Sequence, residues 1–384
     1  MVAKRKAGAS ECSKVKVLRV PRKIKFGSDF SGVDGWLMAL KSLTEIMHVF
    51  SCDSCPHVKT YTMYAHRPKE FYENILDRND ATAPYVDIYT WSPPCQDFST
   101  AGKQLGLKGK RKVGQLLRKS LLFIKTKQPR LTIFENTPAM ASTAKFKPVA
   151  KGIIKSLKKL GYVVHSKIMD SRDYGAPAMR SRFFVVAIRV DSLRHPFTFP
   201  PPVGRDMQQS VIDILDDFDR KKDKAGRLPA TRAARDRCYA AYRKVVDDHC
   251  RNPLKTPIMV DIDCSPKYAA FGINFAKTLT RTRGMQGGPW VSTRGRRVTT
   301  DELLRLQGFE PGRVHWKGAG ITKAQIGGMV GNAVTVHTVG YLLAEAMFAA
   351  GLTTKKLQFQ CPNQRGPPSD SDEAGSIDLD ADSE

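Results

Sequence analysis

Residues 24–35 read Ile-Lys-Phe-Gly-Ser-Asp-Phe-Ser-Gly-Val-Asp-Gly. The first half is a short apolar run typical of a buried strand, and the second half is a glycine-bearing turn that leads into a helix. Such a turn lets a ligand approach the backbone closely, because glycine has no side chain in the way. Asp53 ends the next predicted strand, about 20 residues beyond the turn, where an acid can bond the ribose hydroxyls of a cofactor. The stretch therefore predicts the first unit of an open α/β sheet with a cofactor at its strand ends.

From this unit to about residue 195, short apolar runs alternate with segments of helical period. Predicted strands cover residues 24–30, 46–52, 86–91, 131–135, 162–169 and 183–190, and predicted helices include 113–127 and 149–160. This alternation is typical of an α/β fold with a mostly parallel sheet and helices on its faces.

The alternation stops at the proline-rich stretch 196–202, which reads as a boundary. Residues 203–290 contain one strong helical pattern at 231–250, with Thr231 as its N-cap. The remaining segments of this region are short, rich in glycine and too irregular to assign.

After Arg296 the α/β pattern returns, and an apolar helix is predicted from Asn332 to about Ala350. A helix so apolar needs a core to pack on. We infer that the chain leaves a large domain near residue 195, builds a small one, and returns near residue 296 to complete the first.

The charge is unbalanced, with 63 Lys and Arg residues against 37 Asp and Glu residues and a formal net charge of +26. Residues 366–384 hold seven acids and no base, so the remainder of the chain is more basic still. This excess is larger than solubility requires and indicates a polyanion as partner. We predict nucleic acid.

Neither a membrane nor a metal is predicted as a partner. No stretch approaches the roughly 20 apolar residues that cross a bilayer, and no apolar run follows the charged N-terminus as in a secretory signal. Cys52 and Cys55 form a single CxxC, and no second pair of ligands follows at zinc-site spacing. We predict a monomeric intracellular protein, in the nucleus if its source is eukaryotic and otherwise in the cytoplasm or nucleoid.

Two ionisable residues stand at predicted strand ends, where ligands gather in open α/β sheets. Cys95 lies in Ser92-Pro93-Pro94-Cys95-Gln96, a turn stiffened by two prolines. A buried free cysteine is the commoner case, but these prolines expose the thiol and favour a nucleophile. Glu135 ends the strand that begins at Leu131, although an acid there is also compatible with a helix N-cap or a surface position.

Taken in order, these segments resemble the cytosine-C5 DNA methyltransferase family over roughly residues 24–350. The resemblance rests on six blocks: Phe-Ser-Gly-Val-Asp-Gly (30–35), Pro-Pro-Cys-Gln (93–96), Glu-Asn-Thr (135–137), Asp-Tyr-Gly-Ala-Pro-Ala-Met-Arg-Ser-Arg (173–182), Arg-Arg-Val-Thr-Thr-Asp-Glu-Leu-Leu-Arg-Leu-Gln-Gly-Phe (296–309) and Gly-Asn-Ala-Val (331–334). It implies a Rossmann-like domain that uses S-adenosylmethionine, and a second, smaller target-recognition domain.

The resemblance also implies roles for single residues. Cys95 is the nucleophile that adds to C6 of a flipped-out cytosine in double-stranded DNA, and Glu135 is the partner of N3. Arg182 bonds O2 of the base, and Arg180 supports it. The implied contacts of the cofactor are Phe30, Ser31, Gly32, Val33, Gly35, Asp53, Asp77, Pro94, Leu121, Asn332 and Ala333.

With these roles, five segments are predicted. They are a basic flexible arm (1–23), the first part of the catalytic and cofactor-binding domain (24–195), the target-recognition domain (196–295), a return to the catalytic domain (296–355) and an acidic disordered tail (356–384). Residues 103–130 hold ten bases and no acid. In the family this stretch is a mobile loop that closes over DNA, although a solvated loop has the same composition.

Three positions depart from the family pattern, which commonly has glycine at Asp34, valine at Thr137 and glutamine at Ala178. The acid expected at the end of the first strand is displaced to Asp29 or replaced by Ser28. Asp34 is the departure with the clearest consequence, because its carboxylate can crowd or repel the carboxylate of the cofactor.

Two other functions remain open. One is methylation of C5 of cytosine in tRNA, but the RNA-acting branch usually shows Cys-Phe-Thr after its Pro-Pro-Cys-Gln block, and this chain does not. The other is a catalytically silent adaptor that binds nucleic acid, for which loss of Cys95 or Glu135 is the signature. Both residues are present.

Overall fold

The computed structural model describes residues 23–96, Phe98, 112–265 and 270–361. Outside this part of the chain lies the predicted arm at 1–23, apart from Lys23. The same holds for residues 97 and 99–111, which include the first part of the basic stretch 103–130. Within it, the chain forms a seven-stranded sheet and a four-stranded sheet.

The large sheet has the strand order β3-β2-β1-β4-β5-β7-β6. Its strands are β1 (Ile24–Asp29), β2 (Ile46–Cys52), β3 (Glu70–Tyr72), β4 (Ile88–Trp91), β5 (Leu131–Asn136), β6 (Tyr162–Asp170) and β7 (Ser181–Arg189). Strands β1 to β5 run parallel to one another, and β7 is antiparallel to both β5 and β6. All six predicted strands are confirmed. Strand β3 was not predicted, because three residues are too few to show a period of two.

The helices are α1 (Gly35–Leu43), α2 (Pro56–Ala65), α3 (Val113–Lys127), α4 (Ala139–Ser142), α5 (Lys147–Lys159), α6 (Arg232–His249), α7 (Arg281–Met285), α8 (Thr300–Leu306), α9 (Lys323–Asn332) and α10 (Val336–Ala349). One core cluster packs α1, α2 and α10 on one face of the large sheet. A second packs α3, α4 and α5 on the other face. The fold is therefore a three-layer α/β structure, as predicted.

The strand order reverses between β1 and β4, which pair directly with each other. A reversal of this kind opens a crevice at the carboxyl ends of the two strands, where open α/β folds bind their ligands. The turn after β1 holds residues 30–34, and the turn after β4 leads to Cys95. The two predicted parts of the site thus flank the same crevice.

The small sheet is antiparallel, with the order β11-β10-β8-β9 and strands β8 (Ile258–Val260), β9 (Phe271–Ile273), β10 (Trp290–Val291) and β11 (Arg296–Arg297). Helix α6 packs on it through one apolar stripe, and the hydroxyl of Thr231 caps this helix as predicted. The sheet itself was not predicted, because strands of two or three residues show no readable period.

The helix predicted from Asn332 to Ala350 is wrong at its start. Asn332 ends α9, and α10 begins only at Val336. Between them Ala333 is extended, and Val334 packs against Gly35 at the start of α1. This contact with the cofactor turn requires a break that the continuous apolar pattern does not reveal.

The predicted start of the tail at residue 356 is also too early. Phe359 and Cys361 are buried, and a side chain at Gly340 of α10 would collide with the Phe359 ring. Packing on α10 therefore extends at least to Cys361, and the rest of the predicted tail lies outside the described chain. In the described part, no single helix has the length and hydropathy to cross a bilayer. Helices α9 and α10 pass that test only as a pair bent by 44°.

Candidate active site

Cys95 lies in a turn four residues after β4 ends at Trp91. The turn is tied to the next strand, because the side-chain amide of Asn136 donates to the backbone carbonyl of Pro93 at 3.1 Å. Asn136 is almost completely buried, and its own oxygen accepts from the Thr137 backbone at 2.9 Å. Strand β5 therefore sets the position of the predicted nucleophile.

Glu135 stands near the end of β5, beside the antiparallel strand β7 that begins at Ser181. The Nε of Arg182 lies 3.0 Å from Oε1 of Glu135. The two side chains are 14% and 10% exposed, so the pair is largely shielded from water and weakly screened. The structure thus brings together two of the predicted catalytic residues.

Arg180 is buried, and it lies two residues before Arg182, directly before the start of β7. Its Nη1 donates to the carbonyl of Leu279 at 2.8 Å and to that of Gly331 at 3.3 Å. It therefore joins β7 to the segment before α7 and to α9. Its Nε has no hydrogen-bond partner among the described residues.

Burial raises the pKa of the Cys95 thiol, Arg182 and Arg180 oppose that rise, and Glu135 adds to it. Burial also lowers the pKa of the Arg180 guanidinium, with Arg182 acting in the same direction. Two guanidinium groups and one carboxylate thus surround the cysteine. Arg182 and Arg180 favour its thiolate, which is the nucleophilic form of cysteine.

The turn after β1 is held at several points. Phe30 and Gly32 have positive φ values of 61° and 55°. The amide of Gly32 donates to Oδ2 of Asp53 at 3.0 Å, and the amide of Cys55 donates to Oδ1 of the same carboxylate at 2.9 Å. The amide of Ser31 donates to the carbonyl of Cys52 at 3.1 Å. The predicted ribose acid is therefore in direct contact with the predicted cofactor turn.

The two ends of the predicted cofactor site meet at Gly35. A side chain on Gly35 would lie 2.9 Å from Val334, so the close contact requires glycine. Asn332 is exposed at the end of α9, and the adjacent Ala333 is buried. Val33 of the turn is fully buried.

Three further predicted contacts lie around this edge. Pro94 is half-buried beside Cys95, Leu121 is half-buried on α3, and Asp77 is exposed in the loop between β3 and β4. The side-chain amide of Asn74 donates to Oδ2 of Asp77 at 2.8 Å and orients this carboxylate. In the described part of the chain, none of these three residues forms a hydrogen bond or ion pair with the turn after β1.

Asp34 does not crowd the cofactor turn, contrary to the expectation from the sequence. It is fully buried, adopts φ 56°, and its Oδ1 caps α1 by accepting from the Leu37 amide at 3.1 Å. Its Oδ2 accepts from the hydroxyls of Ser28 at 3.0 Å and Ser51 at 3.3 Å, and His48 Nε2 lies 3.8 Å away. The carboxylate thus points into the core, away from the crevice.

Asp29 also turns away from the crevice, toward the α3 face of the sheet. Both of its carboxylate oxygens accept from the guanidinium of Arg78, and Oδ2 also accepts from the Tyr89 hydroxyl. From the sequence, the acid expected at the end of the first strand is either displaced to Asp29 or replaced by Ser28. The structure leaves no strand-end carboxylate of β1 facing the turn.

The turn fits a bound cofactor with polar groups. The Ser31 hydroxyl is buried and has no hydrogen-bond partner among the described residues, so it is free to bond a ligand. Nothing lies within 4 Å of the position of a side chain on Gly32, so the space beside its backbone is open. For a metal, by contrast, the described residues offer no group of three or more His, Cys, Asp or Glu side chains.

Comparison with known proteins identifies similar chains. Over 290 residues the chain is 26% identical to "Type II methyltransferase M.HaeII" of Haemophilus aegyptius, covering 74% of this chain and 81% of that protein. It is 35% identical to "Type II methyltransferase M.NgoFVII" of Neisseria gonorrhoeae over a shorter region, 32% of each chain. The crystal structure of S. pombe Dnmt2 methyltransferase superimposes with a TM-score of 0.59 at 16% identity, covering 85% of this chain and 99% of that one. This last likeness shows a shared fold.

The family model described as "C-5 cytosine-specific DNA methylase" matches residues 24–348. This range contains the predicted nucleophile turn, the Glu135–Arg182 pair and the cofactor turn. It also agrees with the extent of the resemblance carried by the six sequence blocks, which is thereby confirmed. The chain belongs to the C-5 cytosine-specific DNA methylase family.

Proposed function

We propose that this protein transfers a methyl group from S-adenosylmethionine to C5 of cytosine in double-stranded DNA. One observation carries the proposal. Cys95 follows β4, which borders the topological switch point, and Glu135 lies near the end of the adjacent parallel strand β5, where Arg182 of the antiparallel strand β7 pairs with it. The bond from Asn136 to Pro93 ties the turn of Cys95 to β5.

In this proposal the Cys95 thiolate adds to C6 of the base. C5 of cytosine is too electron-poor to attack a methyl donor unaided, and addition of sulfur at C6 makes it enamine-like. Arg182 and Arg180 lower the pKa of the thiol against the effect of burial. Once C5 carries the methyl group, a base takes the proton from C5, the electrons of that C–H bond re-form the double bond between C5 and C6, and the bond between sulfur and C6 breaks to release Cys95 as a thiolate.

Glu135 is the partner of N3, and its carboxyl group favours the addition by donating a hydrogen bond to N3 as negative charge develops on the ring. Arg182 lies 3.0 Å from Oε1, which leaves Oε2 for the base, and Arg182 is proposed to bond O2 of the base. Arg180 acts behind it, since its guanidinium is buried and already bound to two backbone carbonyls. The cytosine must flip out of the DNA duplex to reach Glu135 and Arg182, which are largely buried.

S-adenosylmethionine, when bound, supplies the methyl group. The chain would hold it with the turn 30–35, where the Ser31 hydroxyl is unpaired and the backbone beside Gly32 is open. Asp53 would accept from the ribose hydroxyls while it continues to hold the Gly32 amide. Asp77 is proposed to accept from the adenine amino group and Leu121 to cover the adenine ring. Asn332, Ala333 and Pro94 complete the proposed set of contacts.

The small sheet and α6 are proposed to form the target-recognition domain (196–295), and the basic stretch 103–130 is proposed to grip DNA phosphates. Residues 113–127 of that stretch form the helix α3, whose Phe123 and Ile124 are buried, so this part is not a loop. We propose a monomer that acts where DNA is kept, in the nucleus or the nucleoid.

A direct experiment tests this proposal. The protein is incubated with methyl-labelled S-adenosylmethionine and either duplex DNA or tRNA, and the modified cytosines are mapped. Label at C5 of cytosine in DNA supports the proposal. Label only in tRNA would support the RNA-directed alternative, and binding without any label would support a silent adaptor.

A further inference from the structure

Four charged side chains are linked in series next to the end of β1, on the α3 face of the large sheet. Arg78 donates from Nη1 and Nη2 to the two oxygens of Asp29 at 2.6 and 3.1 Å, and from Nε to Asp80 at 2.9 Å. Lys119 of α3 lies 3.2 Å from the other oxygen of Asp80. We call these four residues the Arg78 network, which is neutral because it holds two cations and two anions.

The network is deeply buried. The side chains of Arg78 and Asp29 are fully shielded from water, that of Asp80 is 3% exposed, and that of Lys119 is 18% exposed. The Arg78 guanidinium carbon also lies 4.5 Å from the ring centre of Phe123. Ion pairs buried to this degree are weak evidence for stability, since desolvation offsets their attraction. A role in positioning explains the network better than a gain in stability does.

The network joins three elements that carry predicted cofactor contacts. Asp29 is the last residue of β1, directly before the turn that binds Asp53. Arg78 adjoins Asp77 in the loop after β3. Lys119 lies two residues before Leu121 on α3, and its ammonium group also donates to the backbone carbonyl of Arg78 at 2.6 Å. Through these bonds, Asp77 and Leu121 are fixed relative to the end of β1.

We propose that Arg78 is a positioning residue for the adenine end of the cofactor. This inference rests on the proposed function, in which Asp77 accepts from the adenine amino group and Leu121 covers the ring. Asp77 is exposed, and in the described structure its side chain is oriented by Asn74 alone. The position of the Asp77 backbone therefore depends on its neighbour Arg78, which bonds Asp29 of β1 through its side chain and Lys119 of α3 through its backbone carbonyl.

The test uses Lys119→Met, which cuts the link between α3 and the loop while leaving Arg78 paired with Asp29. Binding of S-adenosylhomocysteine is compared by calorimetry with binding of its deaminated analogue, in which oxygen replaces the adenine amino group. We expect the wild-type protein to prefer S-adenosylhomocysteine by at least about tenfold, the scale of a hydrogen bond to a charged group. In Lys119→Met this preference should fall below about threefold. Lys125→Met, an exposed lysine on the same helix, should retain it.

A second variant tests Arg78 itself. The double change Asp29→Asn and Arg78→Met removes both buried charges together, so no unpaired ion remains in the core. It should lose the preference as Lys119→Met does. The inference is overturned if both variants keep the wild-type preference, or if the wild-type protein binds the two ligands equally. If the wild-type protein binds neither ligand, the proposed function itself fails.

Discussion

The side chain of Asn136 donates to the carbonyl of Pro93 at 3.1 Å and so joins the strand of the predicted acid to the turn of the predicted nucleophile. The bond spans two parallel strands and is buried. It fixes the distance between Cys95 and Glu135 without either of them contributing to it.

We expect Asn136→Ala to reduce turnover by at least about tenfold. The change removes the donor and leaves the buried Pro93 carbonyl without its partner, at a cost of about 1–3 kcal/mol. Single-turnover methylation at saturating cofactor measures the effect. Thr137→Val is the matched control, because the Thr137 hydroxyl has no partner among the described residues, and it should behave as wild type. Equal losses in both variants would show that the strand end is merely sensitive to substitution.

Cys95→Ala should abolish methyl transfer and leave DNA binding largely intact, because the thiol is needed for covalent addition and not for phosphate contacts. Transfer of labelled methyl groups and gel-shift titration measure the two properties. DNA carrying a cytosine with fluorine at C5 should trap the wild-type protein covalently, since fluorine replaces the C5 proton and cannot be removed as a cation by a base. Cys55→Ala, which removes a thiol but keeps the backbone amide that bonds Asp53, should still be trapped. Turnover by the Cys95 variant would refute its assignment as nucleophile.

Glu135→Gln should reduce turnover by at least about 100-fold, the usual scale for loss of a positioned acid or base. Its affinity for S-adenosylmethionine should barely change, because Glu135 contacts Arg182 and not the cofactor turn. Rapid-quench kinetics and calorimetry separate the two effects. A collapse of cofactor binding would instead mean that the Glu135–Arg182 pair holds the fold of the strand ends.

Much of the large sheet could be predicted from the sequence, because its buried strands are long enough to show a period and each ends at a recognisable motif. The family and the fold follow from those motifs. The small sheet could not be predicted, since the two residues of β10 or β11 carry no period and gain their structure from α6 and β8.

The residues of the candidate site could be predicted from the sequence, but the buried side chains that hold them in position could not. Cys95, Glu135 and Asp53 stand in motifs, whereas Arg78 lies 49 residues from its partner Asp29 and in no motif. The direction of a side chain at a strand end depends on the partners that surround it. Asp34 was expected to face the cofactor, but the hydroxyls of Ser28 and Ser51 hold its carboxylate in the core. These partners could not be identified from the sequence.

Asp34→Asn should stabilise the protein at neutral pH relative to wild type. Burial raises the pKa of Asp34 from 3.8 to about 6, so the folded protein binds a proton that the unfolded chain releases. Its contribution to stability is fully present below pH 3.8 and is lost as the pH rises through about 6. One pKa unit corresponds to about 1.4 kcal/mol, so the loss amounts to about 3 kcal/mol. Burial lowers the pKa of His48 to about 3, so this neighbour stays neutral at the pH values compared. Burial also lowers the pKa of Lys41 and Asp34 opposes that shift, so the comparison includes the loss of that attraction. Urea unfolding of both proteins at pH 4.5 and pH 8 should therefore show a difference in the free energy of unfolding that grows with pH.

Asp248→Asn, at an exposed position of α6, is the control and should show no such trend. A difference that is the same at both pH values would mean that Asp34 acts only as the cap of α1.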